Sequence, residues 1–290
     1  MKCKVFLLIA SLTVLLTTSC TTSCDNNKRK CHYEDYGLNC PVKSIKVTTY
    51  EAKSKFGDVV KDDLAQDGHY QATFNAVGNL EAIYSYDDNG DLVSVEKYKY
   101  DKDENVVEFS TYDNEGALMY SLQFEYVDDK ICSYVQKSYW NDDEEEERRT
   151  YNHKWDGGYI VETDLLVNGE LFSKTKNTNT SKNKREWVLY DKNGEEISRG
   201  YEEYNDFGGI VKHDDGNLHF EVQWNNKNLP IHLKNAHLHN NTMISWNGNE
   251  EGCEYYVEYE YDRKGNWIKQ TVYEDEIKKP LTISERIITY

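Results

Sequence analysis

From about residue 43 to residue 290 the chain alternates short mixed runs of apolar and polar residues with tight punctuation. The run Asp91-Leu92-Val93-Ser94-Val95-Glu96-Lys97-Tyr98-Lys99-Tyr100 is representative, with β-branched and aromatic residues interleaved with charged ones. Such a pattern predicts half-buried strands, because successive side chains on a strand leave opposite faces. Only Pro41, Pro230 and Pro280 remove a backbone donor, so little interrupts a ladder of hydrogen bonds.

The punctuation repeats. An aromatic residue is followed by Asp or Asn, and Gly stands four places after the aromatic. The copies are Phe74-Asn75-Ala76-Val77-Gly78, Tyr86-Asp87-Asp88-Asn89-Gly90 and Tyr112-Asp113-Asn114-Glu115-Gly116. Three more are Tyr190-Asp191-Lys192-Asn193-Gly194, Tyr204-Asn205-Asp206-Phe207-Gly208 and Tyr261-Asp262-Arg263-Lys264-Gly265. Tyr100-Asp101 begins a further copy, with Asn105 where the turn should end. Asp or Asn accepts a hydrogen bond from backbone two residues on, and Gly supplies the positive φ of a tight reversal. The leading aromatics at 74, 86, 100, 112 and 126 are separated by 12, 14, 12 and 14 residues. All steps are even, which keeps the same side chains on the same face. More than a dozen strands fit in the chain, and open sheets of that size curl, split or close. The expected fold is therefore all-β, an antiparallel meander of hairpin repeats curled into a large twisted sheet or a barrel-like shell. Its 24 Tyr, 6 Trp and 8 Phe supply core area that the aliphatic residues do not.

These Tyr-Asp-x-x-Gly units resemble YD repeats of the RHS type, with Tyr259-Glu260-Tyr261-Asp262-Arg263-Lys264-Gly265-Asn266-Trp267-Ile268 the best match. The resemblance covers roughly 70–126, 187–208 and 255–273, and fades over 140–185 and 210–250. It implies the sheet architecture of that family alone. The chain is too short for the hollow shells RHS proteins build, and the resemblance brings no catalytic residues.

The N-terminus changes the picture. Lys2 and Lys4 precede the uncharged apolar stretch Val5–Leu16, and small residues lead to Cys20. That is the order of a secretory signal, and the apolar stretch is shorter than the roughly 20 residues of a spanning helix. Leu16-Thr17-Thr18-Ser19-Cys20 resembles a bacterial lipobox, which implies a lipidated Cys20; Cys24 is a second candidate. The expected division is a signal over 1–19, a lipidated tether over 20–42 and one domain over 43–290. Acyl chains on Cys20 would make the membrane the first partner. By resemblance to lipoprotein sorting rules, Thr21 implies the outer membrane, on its periplasmic or its outer face.

Charge and candidate chemistry narrow the function. A net charge of −18 argues against nucleic acid and against direct adhesion to anionic lipid. Export permits disulfides, and the pairs weighed are Cys31 with Cys40 and Cys132 with Cys253. His232, His237 and His239 form a weak candidate metal set, since His237 and His239 share a strand face but lack an evident third ligand. Asp101-Lys102-Asp103-Glu104-Asn105 has alternating oxygens but not the glycine and glutamate of a calcium loop, and reads as an acidic turn. Charges on both faces of Ile283–Tyr290 read against a membrane-spanning strand. No nucleophile elbow, phosphate loop or metalloprotease motif is present. The expectation is a non-catalytic envelope protein, without a cofactor, that binds or scaffolds a glycan or a protein. Trp140, Trp155, Trp187, Trp224, Trp246 and Trp267 are the candidate contact rings. The alternative is a metal-dependent hydrolase built on the late histidines.

Overall fold

The structure is a computed structural model, and it describes residues 32–139, 147–216, 219–239, 243–245, 253–274 and 279–290. A 3-10 turn over His32–Tyr36 comes first. The strands that follow are β1 Ser44–Lys55, β2 Asp58–Leu64, β3 His69–Phe74, β4 Leu80–Tyr86, β5 Leu92–Tyr100, β6 Val106–Asp113 and β7 Leu118–Val127. Next are β8 Lys130–Ser138, β9 Glu147–Asp156, β10 Tyr159–Val167, β11 Glu170–Ser181, β12 Lys184–Asp191, β13 Glu196–Tyr204 and β14 Ile210–Asp214. The last are β15 His219–Trp224, β16 Pro230–His239, β17 Met243–Ser245, β18 Cys253–Tyr261, β19 Trp267–Glu274 and β20 Lys279–Thr289. The expected all-β antiparallel meander is thus what the chain forms.

The described residues fall into two compact units. The mid-chain unit comprises Lys99–Thr111 and Leu118–Glu221. In it each strand from β7 to β15 pairs antiparallel with the next. The terminal unit comprises Lys28–Tyr98, described from His32 on, together with Tyr112–Ala117 and Val222–Tyr290. Its strands pair in the order β16, β18, β19, β20, β1, β3, β4, β5. The first and last strands are neighbours, in register from Ser44 opposite Thr289 to Glu51 opposite Thr282. Beyond that register β1 continues with β2 alone, from Ala52 opposite Lys61 to Lys55 opposite Asp58, as a two-stranded arm. Its tip, Phe56-Gly57, has φ values of 56° and 93°, and Phe56 is 98% exposed.

The repeated motif is the same reversal at every copy. In each, the Asp or Asn carbonyl accepts from the amide three residues on, and its own amide donates to the carbonyl four residues on. Its side-chain Oδ1 accepts from the amides two and four residues on, at 2.8–3.1 Å. One side-chain oxygen thereby satisfies two amides that the ladder cannot reach. The residue four after the aromatic lies in the left-handed region, the bulge form of a three-residue hairpin loop. Glycine fills that place at six copies, with φ between 81° and 94°. At Tyr100-Asp101 the place is taken by Glu104 at φ 63°, so this copy is complete and Asn105 is the residue after it. An eighth copy, Trp224-Asn225-Asn226-Lys227-Asn228, has Asn228 there at φ 55°. Tyr126 leads into a different reversal, with Asp128 and Asp129 at φ 51° and 59° and Val127 opposite Lys130.

Residues 32–42, which the expected tether over 20–42 includes, pack with the terminal unit. Leu38 and Val42 are buried with Ile45, Ala72, Phe74, Leu80 and Ile83, and Tyr33 and Tyr36 pack on that cluster. Backbone fixes the segment as well: Tyr33 N donates to Gly78 O at 3.1 Å and Asn39 N to Asn266 Oδ1 at 2.7 Å. Gly37 has φ +66°, and a Cβ on it would lie 2.7 Å from Leu229 Cδ2. Burying two aliphatic side chains contributes roughly 3–6 kcal/mol toward holding the segment.

Candidate functional site

In the mid-chain unit, irregular strand register builds a small polar cavity. The register shifts by one residue between Ile160 and Glu162 of β10 and again between Thr178 and Ser181 of β11. Such bulges re-aim side chains and leave backbone groups outside the ladder. Asn177 answers one of them by donating from Nδ2 to Ile160 O at 2.7 Å. The cavity lies between these bulges, lined by Tyr159, Ile160, Asn177, Thr180, Arg185 and Tyr204 among others, and encloses about 20 Å³. Asn177 Oδ1, Thr180 Oγ1 and Arg185 Nε are buried without a protein partner. One acceptor, one hydroxyl and one donor suit a single water, and the volume holds about one. Small-molecule pockets are larger, on the order of 300–1,000 Å³.

Beside the cavity runs a row of charge across three strands. Arg185 stands opposite Glu202, and Glu202 opposite His213. Arg185 Nη2 donates to Glu202 Oε2 at 2.5 Å, the Tyr204 hydroxyl donates to the same oxygen, and His213 Nδ1 lies 3.3 Å from Oε1. Burial alone would raise the Glu202 carboxyl, but His213, Arg185 and Tyr204 outweigh it and hold it at about 2. Burial pushes the Tyr204 hydroxyl well above the ordinary tyrosine range. His213 stacks on Phe220 at 5.1 Å. The row is an ion network centred on Glu202, with Arg185 Nε left toward the cavity.

The terminal unit buries charge differently. Glu96 on β5 is 7% exposed, opposite Ile83, and its Oε2 has no partner. Burial pushes its carboxyl up to about 7, against a hydrogen bond with Tyr98 that pulls it down. Arg286 on β20 is also buried. Its guanidinium lies 3.4 Å over the Trp267 ring, and Nη1 donates to Tyr36 O at 2.8 Å. A third polar knot forms where β2 passes into β3. Thr49 N donates to His69 Nδ1 at 3.2 Å, and Thr49 Oγ1 bonds Gly68 O and Ser284 Oγ, both at 2.9 Å.

Sequence-derived candidates separate in the structure. Cys20, Cys24 and Cys31 lie outside the described residues. Cys40, Cys132 and Cys253 are free thiols, so the Cys132–Cys253 pairing is not formed; the Cys132 thiol is turned onto the Glu125 carbonyl at 3.3 Å. His232 Nε2 lies 2.6 Å from Glu254 Oε1, and its ring stacks on Tyr256 at 4.5 Å. The backbones of His237 and His239 pair with Ser245 and Met243, and their side chains lie outside the description. Between them and His232, a register shift with Asn235 at φ 54° breaks the strand alternation. Among the described residues no group of three or more His, Cys, Asp or Glu side chains is placed to hold a metal ion. Asp101 serves as the acceptor of its own turn, as the acidic-turn reading expected.

Among the described residues the tryptophans are not exposed platforms. Trp267 is buried, Trp155 Nε1 donates to Ile131 O at 2.8 Å, and Trp187 lies against Gly200. Trp224 is half-buried at the head of its turn, and Trp140 and Trp246 lie outside the described residues. Exposed rings are instead Phe56 at 98%, with Phe172 and Phe207 at 61% each. The functional groups not singled out from sequence are Glu96, Glu202 with Arg185, and Arg286. For Glu96 a signal existed: it has the same parity as Tyr98 and Tyr100, the half-buried face of β5.

No protein-family model and no curated protein sequence matches the chain. Among solved structures, a porin-like protein from Bacteroides uniformis ATCC 8492 is similar over 86% of this chain and 96% of its own, at 9% identity and a TM-score of 0.38. A porin-like protein from Bacteroides vulgatus ATCC 8482 is similar over 87% of this chain and 99% of its own, at 13% identity and a TM-score of 0.39. A DUF1329 family protein from Desulfovibrio piger ATCC 29098 covers 89% of each chain at 10% identity, with a TM-score of 0.17.

Proposed function

We propose that this chain is a lipid-anchored envelope protein with a non-catalytic binding or scaffolding role. The observation that carries the role is how Glu202, His232 and Arg286 are used, while Glu96, whose Oε2 has no partner, is itself shut away at 7% exposure. Glu202 is held by Arg185, His213 and Tyr204, His232 by Glu254, and Arg286 by the Tyr36 carbonyl and the Trp267 ring. Groups committed to such internal contacts are not free to move protons for a substrate. The anchor rests on the leader that ends at Cys20, and the outer membrane is its proposed location. The partner class is a glycan or an envelope protein, met by exposed rings such as Phe56 at the tip of the β1–β2 arm.

Two measurements test this. Labelled fatty acid fed to the producing cell is expected in the mature chain and lost in Cys20→Ala; label retained in that variant refutes the assignment of the anchor. Glycan arrays and crosslinking in intact envelopes are expected to show binding that weakens in Phe56→Ser. Turnover of an envelope substrate by the purified chain would refute the non-catalytic role.

A further inference from the structure

Charge in the terminal unit is divided between the two ends of its strands. At one end the segment 32–43 enters and meets the turns after β3, β15 and β18. Lys227 Nζ donates to Gly265 O at 3.1 Å, Asn39 Nδ2 to Lys264 O at 3.3 Å, and Lys43 N to Thr289 O at 2.7 Å, so these parts lie together. Lys43, Lys227, Arg263 and Lys264 are exposed there. The Lys264 ammonium lies 3.2 Å over the ring of Tyr290, which is 41% exposed. Glu34, Asp35 and Asp262 belong to the same end, Asp262 accepting from the Tyr290 hydroxyl at 2.5 Å. The opposite end, formed by the β1–β2 arm and the turn after β4, carries Asp58, Asp62, Asp63, Asp67, Asp87, Asp88 and Asp91 against Lys53, Lys55 and Lys61. With four cations against three carboxylates, this end is far less acidic than the arm end.

We infer that the end of the terminal unit where segment 32–43 enters faces the membrane, with Lys43, Lys227, Arg263 and Lys264 on anionic lipid headgroups and the Phe56 arm pointing away. This rests on the proposed anchor at Cys20. His32 stands twelve positions after Cys20. Fully extended this stretch reaches roughly 40 Å, so the end it enters is the one held near the bilayer. Basic residues close to an anionic surface each strengthen binding about fivefold, and the acidic residues at the far end are repelled from it. A tyrosine beside them suits the headgroup layer, where its ring and hydroxyl meet both environments.

The test compares the mature full chain on neutral phosphatidylcholine vesicles and on phosphatidylcholine–phosphatidylglycerol vesicles, read by flotation and by amide hydrogen exchange. On anionic vesicles, exchange is expected to slow at 225–229 and 261–266 and to stay unchanged at 55–58. High salt and the triple variant K227E/R263E/K264E are expected to abolish the slowing. Equal exchange on both vesicles, or protection at 55–58, overturns the orientation. Failure of the anchor reads separately: a chain without acyl groups does not float with neutral vesicles.

Discussion

Glu96 is the group whose ionisation the fold resists most plainly. It is 7% exposed on β5, with one carboxyl oxygen unpartnered, and burial pushes it up to about 7 from an ordinary 4.5. The folded chain therefore prefers the neutral acid, while the unfolded chain ionises near 4.5. For a carboxyl raised in this way the folded state is favoured at low pH. Stability then falls as pH rises from about 4.5 to about 7 and is level above that range. At about 1.4 kcal/mol per pH unit, the loss over that interval is roughly 3 kcal/mol. Glu96→Gln keeps the shape and removes the charge. It is expected to be more stable than the parent by roughly 3 kcal/mol at pH 8 and close to equal to it at pH 4.5. Urea unfolding followed by tryptophan fluorescence at several pH values measures this difference, in which the pH dependence of all other groups cancels. An advantage independent of pH, or a Gln variant weaker than the parent at pH 8, would refute the reasoning.

Glu202 is expected to behave in the opposite sense. Its carboxyl is held at about 2 by its partners, so the stability it contributes is present above 4.5 and is lost as pH falls through about 2. Glu202→Gln should cost about 3 kcal/mol at pH 7 in the same unfolding assay, with the cost shrinking toward pH 2. Asn75→Ala removes the acceptor of the Val77 and Asn79 amides, 3.1 and 2.9 Å away, beside buried Phe74 and Leu80. It should lower unfolding free energy by about 1–3 kcal/mol, whereas Asn75→Asp, which keeps the oxygen, should cost little. Glu104→Gly relieves a left-handed glutamate and should raise the urea midpoint by the equivalent of about 1 kcal/mol. Gly37→Ala places a Cβ 2.7 Å from Leu229 Cδ2 at φ +66°, so limited proteolysis should cut the 32–43 segment faster while β1 to β20 remain protected.

Much of the fold was legible in the residues themselves. An aromatic, an Asx and a left-handed residue four places on make a reversal from local chemistry alone, since one side-chain oxygen satisfies two amides within five residues. That reading failed where another residue stood in for glycine, and at Tyr126, where a different reversal follows. Asn228 hid a complete copy behind Trp224-Asn225, and Glu104 made a complete turn look truncated. Period-two alternation supplied the strands and even the inward parity of Glu96. Which strands β1 meets was beyond such local reading. The pairing of Ser44–Glu51 with Thr282–Thr289 joins residues more than two hundred positions apart, and no local preference encodes it. The same limit applies to the candidate chemistry. Spacing grouped His232, His237 and His239, but a bulge at Leu233–Ala236 and the carboxylate of Glu254 took His232 elsewhere. Conversely, Arg185, Glu202 and His213 are scattered in sequence and become one row only because β12, β13 and β14 lie side by side. Turns and strand faces follow from short-range sterics and hydrogen bonds. Partners across strands, and with them the ionisation of buried side chains, depend on which distant segments the sheet brings into contact.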